Sequence, residues 1–291
     1  MKCAFDDAVK AWLSALTAFE IARRLVDEDD PQIKTLSAKI QAGIRRFELS
    51  RDRKLDCVSI LCDQAELAAY YFPAGIPDLR APSVICISRE DETAVTLLGR
   101  LLPVVIDRGV SILVISHDDV SSHWRGQSEM LLSYCFDYLS DRPDVNARRI
   151  AVYGEGLSAI LATEFAVSDR RVAAAVCDGG LWNFSRTLAS VSWMTRTAGA
   201  VDEDTLSSRR SRVVRQLNCP VLVLTGGRGT VSLSEAIKLQ TDCSAARVDL
   251  EISTPQTTST SSGEVENFIL SDDCIFGWLQ QKLQAPHLLA D

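Results

Sequence analysis

Residues Arg149–Phe165 read RIAVYGEGLSAILATEF, and the fold is decided in this stretch. Ile150–Tyr153 is a short apolar run of strand type. Gly154-Glu155-Gly156 is a tight glycine turn, and beyond it an amphipathic helix runs to Phe165. A strand that turns on glycine straight into a helix presents the residue at the turn at the top of a sheet, in front of a helix N-terminus. That residue is Gly156, which has no attacking atom.

Two rival readings attach to the same turn. Gly156-Leu157-Ser158 begins its own G-x-S, so Ser158 is a candidate displaced nucleophile. Against this, Ile160 would crowd the turn, and two residues further along places Ser158 in the first helical turn, where a serine simply fills space. Gly154-x-Gly156-x-x-Ala159 also matches a dinucleotide fingerprint, with Asp178 ending the next strand where a ribose-binding acid would fall. That fingerprint belongs to the first strand of its fold, whereas this strand follows several others. No cofactor and no metal is therefore expected.

Working outward, strands and helices alternate. LDCVSIL and ELAAYYF form a hairpin around Asp63-Gln64. SVICIS, VSILVIS, VAAAVCD, PVLVLTG and RVDLEIS read as strands, with helices over Glu92–Asp107, Gln127–Leu139, Leu233–Gln240 and Glu264–Leu283. The alternation implies a mostly parallel sheet covered on both faces, with functional loops at the carboxyl ends of its strands. Ahead of it, residues 1–50 carry two apolar stripes at helical spacing. Val9, Trp12, Leu16, Phe19, Ala22 and Val26 form one; Ile33, Leu36, Ile40, Ile44 and Phe47 form the other, after an Asp30-Pro31 start signal. Residues 51–285 form the main domain, and the polar segment 182–217 sits where a lid would sit.

The 291 residues are 46% hydrophobic and 24% charged, with a net charge of −8, which argues against a nucleic-acid partner. No apolar run approaches the roughly 20 residues that span a bilayer. MKCAFDDAVKAW contains acids and is not a signal peptide, so a cytoplasmic protein is expected. The nine cysteines include no C-x-x-C, and they read as reduced core residues.

From Asp141 to Asn183 the chain resembles the bacterial α/β-hydrolases related to 2,6-dihydroxypseudooxynicotine hydrolase and FrsA-like esterases. These carry an N-terminal helical cap before the hydrolase domain. The resemblance implies an α/β-hydrolase fold with that cap and a helical lid insertion. It also implies where a Ser-Asp-His triad would stand, and each position departs from it. Gly156 stands at the serine and Gly229, in Gly226-Gly227-Arg228-Gly229, at the acid. The turn that carries the histidine is Thr254–Glu264, without one; His287 lies beyond the closing helix. Ser88-Arg89-Glu90-Asp91 replaces a glycine-rich loop on the oxyanion side, and Ser116-His117-Asp118-Asp119 replaces a D-G-P-G turn.

Loss of nucleophile, base and orienter together removes conventional serine hydrolysis. The expectation is a degenerate hydrolase-fold protein that binds a small organic ligand or a partner protein. The alternatives are a non-hydrolytic enzyme, such as a lyase, cyclase or acyl-transfer step in specialised metabolism, and a residual ester, amide or carbon–carbon hydrolase. His117, Asp118, Asp119 and His123 are the candidate replacement acid/base residues, though they also read as a solvated acidic loop. Ser88, Arg89, Gly156, Leu157, Arg228, Trp182 and Trp193 are candidate ligand-binding residues. Arg89 and Arg228 could hold an anion, although each alone also reads as an exposed arginine. A homodimer through the N-terminal helices is a further expectation.

Overall fold

β3 (Ala81–Ile87) and β4 (Ser111–Ile115) are buried at every position, so both faces of the sheet are covered there. They belong to a computed structural model that describes residues 2–26, 30–49, 55–62, 65–75, 79–121, 125–178, 212–225, 233–254, 257–260 and 263–284. The expected hairpin is present: β1 (Asp56–Cys62) runs antiparallel to β2 (Ala65–Phe72), with Asp56 opposite Tyr71. β2 then pairs antiparallel with β4. All further pairings in this sheet are parallel, through β3, β5 (Val145–Glu155), β6 (Ala174–Asp178), β7 (Val221–Leu224) and β8 (Leu250–Ser253). The eight strands are ordered β1-β2-β4-β3-β5-β6-β7-β8.

Successive strand residues point to opposite faces, and each face has its own core. Leu113, Ile115 and Val152 meet α5 (Arg125–Ser140) and α6 (Ser158–Ser168) through Leu132, Phe136 and Phe165. Ile112, Val114 and Tyr153 meet α3 (Ala94–Val105) and the last helix, Phe268–Gln284, through Leu97, Leu101 and Phe276. Between these elements lie the one-turn α4 (His117–Ser121) and α7 (Leu233–Ala245); the last helix is α8.

The N-terminal stripes join the second core. α1 (Lys2–Leu25) and α2 (Gln32–Leu49) bury Val9, Leu16, Ile40, Ile44 and Phe47 beside α3 and the Phe72 ring. Each such side chain contributes up to about 1.5–3 kcal/mol of transfer free energy, which fixes the hairpin to the sheet. Gly99 permits the contact, because a Cβ there would lie 2.6 Å from Ile40 Cγ2. Asp30 starts α2 as read, its carboxylate accepting from Gln32 N–H at 2.8 Å.

Two boundaries need correction. The stretch Thr254–Glu264 is not a plain turn leading directly into a helix. β9 (Thr257–Thr260) and β10 (Gly263–Glu266) pair antiparallel there, running past its end, and α8 starts only at Phe268. Threonine, stiff at χ1, suits extended backbone. The helix expected from Glu92 starts at Ala94, because the Thr93 hydroxyl caps it by accepting from Thr96 N–H.

Candidate functional site

β3 lies between β4 and β5, so the parallel register brings the ends of all three together: Ile87 is level with Ile115 and with Gly154. Residues just past those ends therefore meet, although 29 to 70 positions of sequence separate them. They are Ser88, His117 and the turn Gly156-Leu157-Ser158.

The turn is as sharp as its glycines suggest. A Cβ on Gly154 would collide with the Ser158 carbonyl, so the strand can pass beneath the helix start only as glycine. Gly156 has φ +62°, the left-handed region, and its N–H donates to Asp178 O at 2.8 Å. The space above Gly156 is occupied. A Cβ built there would lie 2.6 Å from Glu90 Oε2 and 2.8 Å from Arg89 Cγ. Glu90 Oε2 also accepts a hydrogen bond from the Leu157 N–H at 3.0 Å. In a strand–turn–helix of this type, the amide after the turn residue is one that would stabilise an oxyanion. Here the protein's own carboxylate sits on it.

Ser88, His117 and Ser158 form a closed, buried trio. The His117 N–H donates to Ser88 Oγ at 3.0 Å, and the Ser88 hydroxyl donates to Glu92 O at 2.8 Å. The Ser158 hydroxyl donates to Ser88 O at 2.6 Å, and His117 Nδ1 lies 2.7 Å from Ser158 Oγ. His117 is not on a solvated acidic loop. It opens α4 and is 8% exposed, while Asp118 and Asp119 on the same turn point outward. Burial lowers the His117 pKa below its ordinary 6.5, partly offset by the negative charges of Glu90 and Asp118.

Behind the turn lies a buried ionic network. Arg100, in the otherwise apolar α3, is paired with Asp272 of α8 at 2.7 Å and with Glu155 at the end of β5. The Tyr153 hydroxyl donates to Glu155 at 3.0 Å. Glu92 stands 3.7 Å from Arg100 and 3.6 Å from Arg23 of α1, which is also bound to Glu20. Arg89 pairs with Asp91 and lies 3.8 Å from Glu155. Three guanidiniums thus face five carboxylates. Burial pushes the Glu92 carboxyl above its ordinary range, against the pull of Arg100.

Arg89 accordingly differs from its reading as an exposed arginine offered to an anion. It is 8% exposed, and its guanidinium is turned to carboxylates of the same chain. Ser88 is fully buried and spends its hydroxyl on the trio. Gly156 and Leu157 are at the turn as read. His123, Trp182, Trp193, Arg228 and Gly229, and nearly all of the lid segment 182–217, lie outside the described residues. Among the described residues no three His, Cys, Asp or Glu converge as metal ligands, and no helix is long and apolar enough to cross a membrane. Sequence reasoning missed Glu90 and the Arg100 network. The available signals were one cation inside AVTLLGRLLPVV and one acid between two glycines of the turn.

No protein-family model and no curated protein matches the chain by sequence. Solved structures do match by shape. The crystal structure of 2,6-dihydroxy-pseudo-oxynicotine hydrolase superposes with a TM-score of 0.65 at 19% identity, covering 97% of this chain and 84% of that one. The chain has the α/β-hydrolase fold. An acylaminoacyl peptidase from Pyrococcus horikoshii gives a TM-score of 0.60 at 11% identity over 83% of this chain and 44% of its own. A puromycin-hydrolyzing peptidase from Mycobacterium tuberculosis gives 0.61 at 14% over 80% and 40%. At these identities the likeness concerns the fold alone.

Proposed function

We propose that this chain is a non-hydrolysing protein of the α/β-hydrolase fold, which uses the carboxyl ends of β3, β4 and β5 to bind a small organic ligand or a partner protein. The filled turn carries this reading. Acyl hydrolysis needs a nucleophile at the turn and free amide donors where negative charge develops. Gly156 supplies no nucleophile, and the Leu157 amide already carries the Glu90 carboxylate at 3.0 Å, whose charge would repel an oxyanion. The resemblance read from the sequence adds Gly229 at the acid position and Thr254–Glu264 without histidine. Turnover of p-nitrophenyl acetate and butyrate should not exceed that of a heat-denatured control. Gly156→Ser alone should stay inactive, because the turn above it remains filled. Esterase activity of either protein, abolished by Ser158→Ala or gained with Gly156→Ser, overturns the reading.

A second reading is favoured by the buried His117–Ser158 contact at 2.7 Å. In it the fold runs proton-transfer chemistry without an acyl-enzyme, as in a lyase, cyclase or acyl-transfer step. His117 then serves as the titrating group, with Asp118 and Asp119 beside it. His117→Ala would abolish a native turnover while leaving the circular dichroism spectrum unchanged.

A further inference from the structure

The hydroxyl of Ser158 has one proton and two short contacts, Ser88 O at 2.6 Å and His117 Nδ1 at 2.7 Å. A peptide carbonyl can only accept, so the proton lies toward Ser88 O. Both contacts are hydrogen bonds only if Nδ1 carries a proton and donates to Ser158 Oγ. The remaining directions agree: the His117 amide donates to Ser88 Oγ, and that hydroxyl donates onward to Glu92 O. Every proton in the trio is thereby placed. From this geometry we infer that Ser158 is a positioning residue that holds neutral His117 in the Nδ1–H tautomer, leaving Nε2 as a bare lone pair for a hydrogen-bond-donating ligand.

This builds on the proton-transfer reading above and names the nitrogen that would act. It also removes Ser158 as a displaced nucleophile, since the serine hydroxyl points away from the imidazole and the imidazole nitrogen facing it has no lone pair to give. Nε2 has no hydrogen-bond partner among the described residues, and His117 keeps 8% exposure. The described charges that act on His117 are the carboxylates Glu90 and Asp118. The Leu157 amide is already taken by Glu90. The charges acting on His117 are thus negative, which suits a neutral O–H or N–H donor such as a phenol better than a carboxylate.

The test is long-range 1H–15N correlation NMR on the full-length, histidine-labelled protein at pH 8, well above the lowered pKa of His117. The chain has three histidines, so His117→Gln assigns the signals. Expected is a His117 pattern with protonated Nδ1 and bare Nε2, shifting toward the Nε2–H form in Ser158→Ala. An Nε2–H pattern in the wild-type protein overturns the inference, and that readout does not depend on any variant folding. A folded Ser158→Ala with an unchanged pattern overturns the role of Ser158. Phenol should move the Nε2 resonance and benzoate at the same concentration should not; any other pairing of responses overturns the ligand class. The tautomer is read without turnover, so an inactive protein with the Nδ1–H pattern would refute only the proton-transfer reading.

Discussion

Gly156→Ala tests whether the turn is filled. The substitution adds one methyl at φ +62°, where a non-glycine residue costs about 1–2 kcal/mol. The methyl then lies 2.6 Å from Glu90 Oε2 and 2.8 Å from Arg89 Cγ. The first contact is with the far end of an exposed side chain, which can swing away if it releases the Leu157 amide. The second is with the middle of a buried side chain whose guanidinium is held by Asp91 and Glu155. Overpacking of this type adds about 1–3 kcal/mol, and the flexible Glu90 end puts the sum toward the lower part, roughly 2–4 kcal/mol. For a chain of this size that is a fall in melting temperature of roughly 3–7 °C. Urea unfolding of wild type, Gly156→Ala, Glu90→Ala and the double variant would measure it. Because Glu90 and the new methyl touch, the double variant should recover about 0.5–1.5 kcal/mol relative to additivity. A Gly156→Ala cost below about 0.5 kcal/mol, or strict additivity with Glu90→Ala, would refute a filled turn.

Other outcomes follow from the same structure. Arg100→Met leaves Asp272, Glu155 and Glu92 buried without their shared cation and should cost about 3–5 kcal/mol by urea unfolding. Gly99→Val should loosen α2 from α3, by overpacking of about 1–3 kcal/mol, because the new Cβ starts 2.6 Å from Ile40; faster proteolysis of residues 1–50 would report it. Deleting residues 1–50 uncovers Phe72 and the α3 face, so the truncated chain should aggregate; a soluble, unchanged melting profile would contradict the packing. His117 has a lowered pKa, so the unfolded chain binds its proton at a higher pH than the folded one. Its contribution is present above the ordinary pKa of 6.5 and is lost as pH falls below that value, and His117→Gln should flatten the pH 7.5-to-5.5 stability difference.

The elements were legible where their signal is local. The Asp30-Pro31 start, the Asp63-Gln64 hairpin and the Gly154/Gly156 turn each sit within a few residues of their cause. The site was legible only in part, because its bonds are long-range. Ser88 meets His117 across 29 positions and Ser158 across 70, and Arg100 meets Asp272 across 172. His117 was singled out by its place after an apolar strand, but nothing in the chain announces that a serine two residues past the turn would seat it. Arg89 reads as a free cation in sequence; only the sheet order brings Glu155 beside it. Glu90 is an ordinary loop acid until the Leu157 amide is seen pointing at it.

The central claim is that this hydrolase fold no longer forms an acyl-enzyme at its turn. Intact-mass and peptide mass spectrometry after prolonged incubation with a fluorophosphonate probe tests it most directly. The account predicts an unmodified chain, with Gly156 bearing no nucleophile and the Ser158 proton committed to Ser88 O. Stoichiometric phosphonylation of Ser158, prevented by prior denaturation, would contradict it.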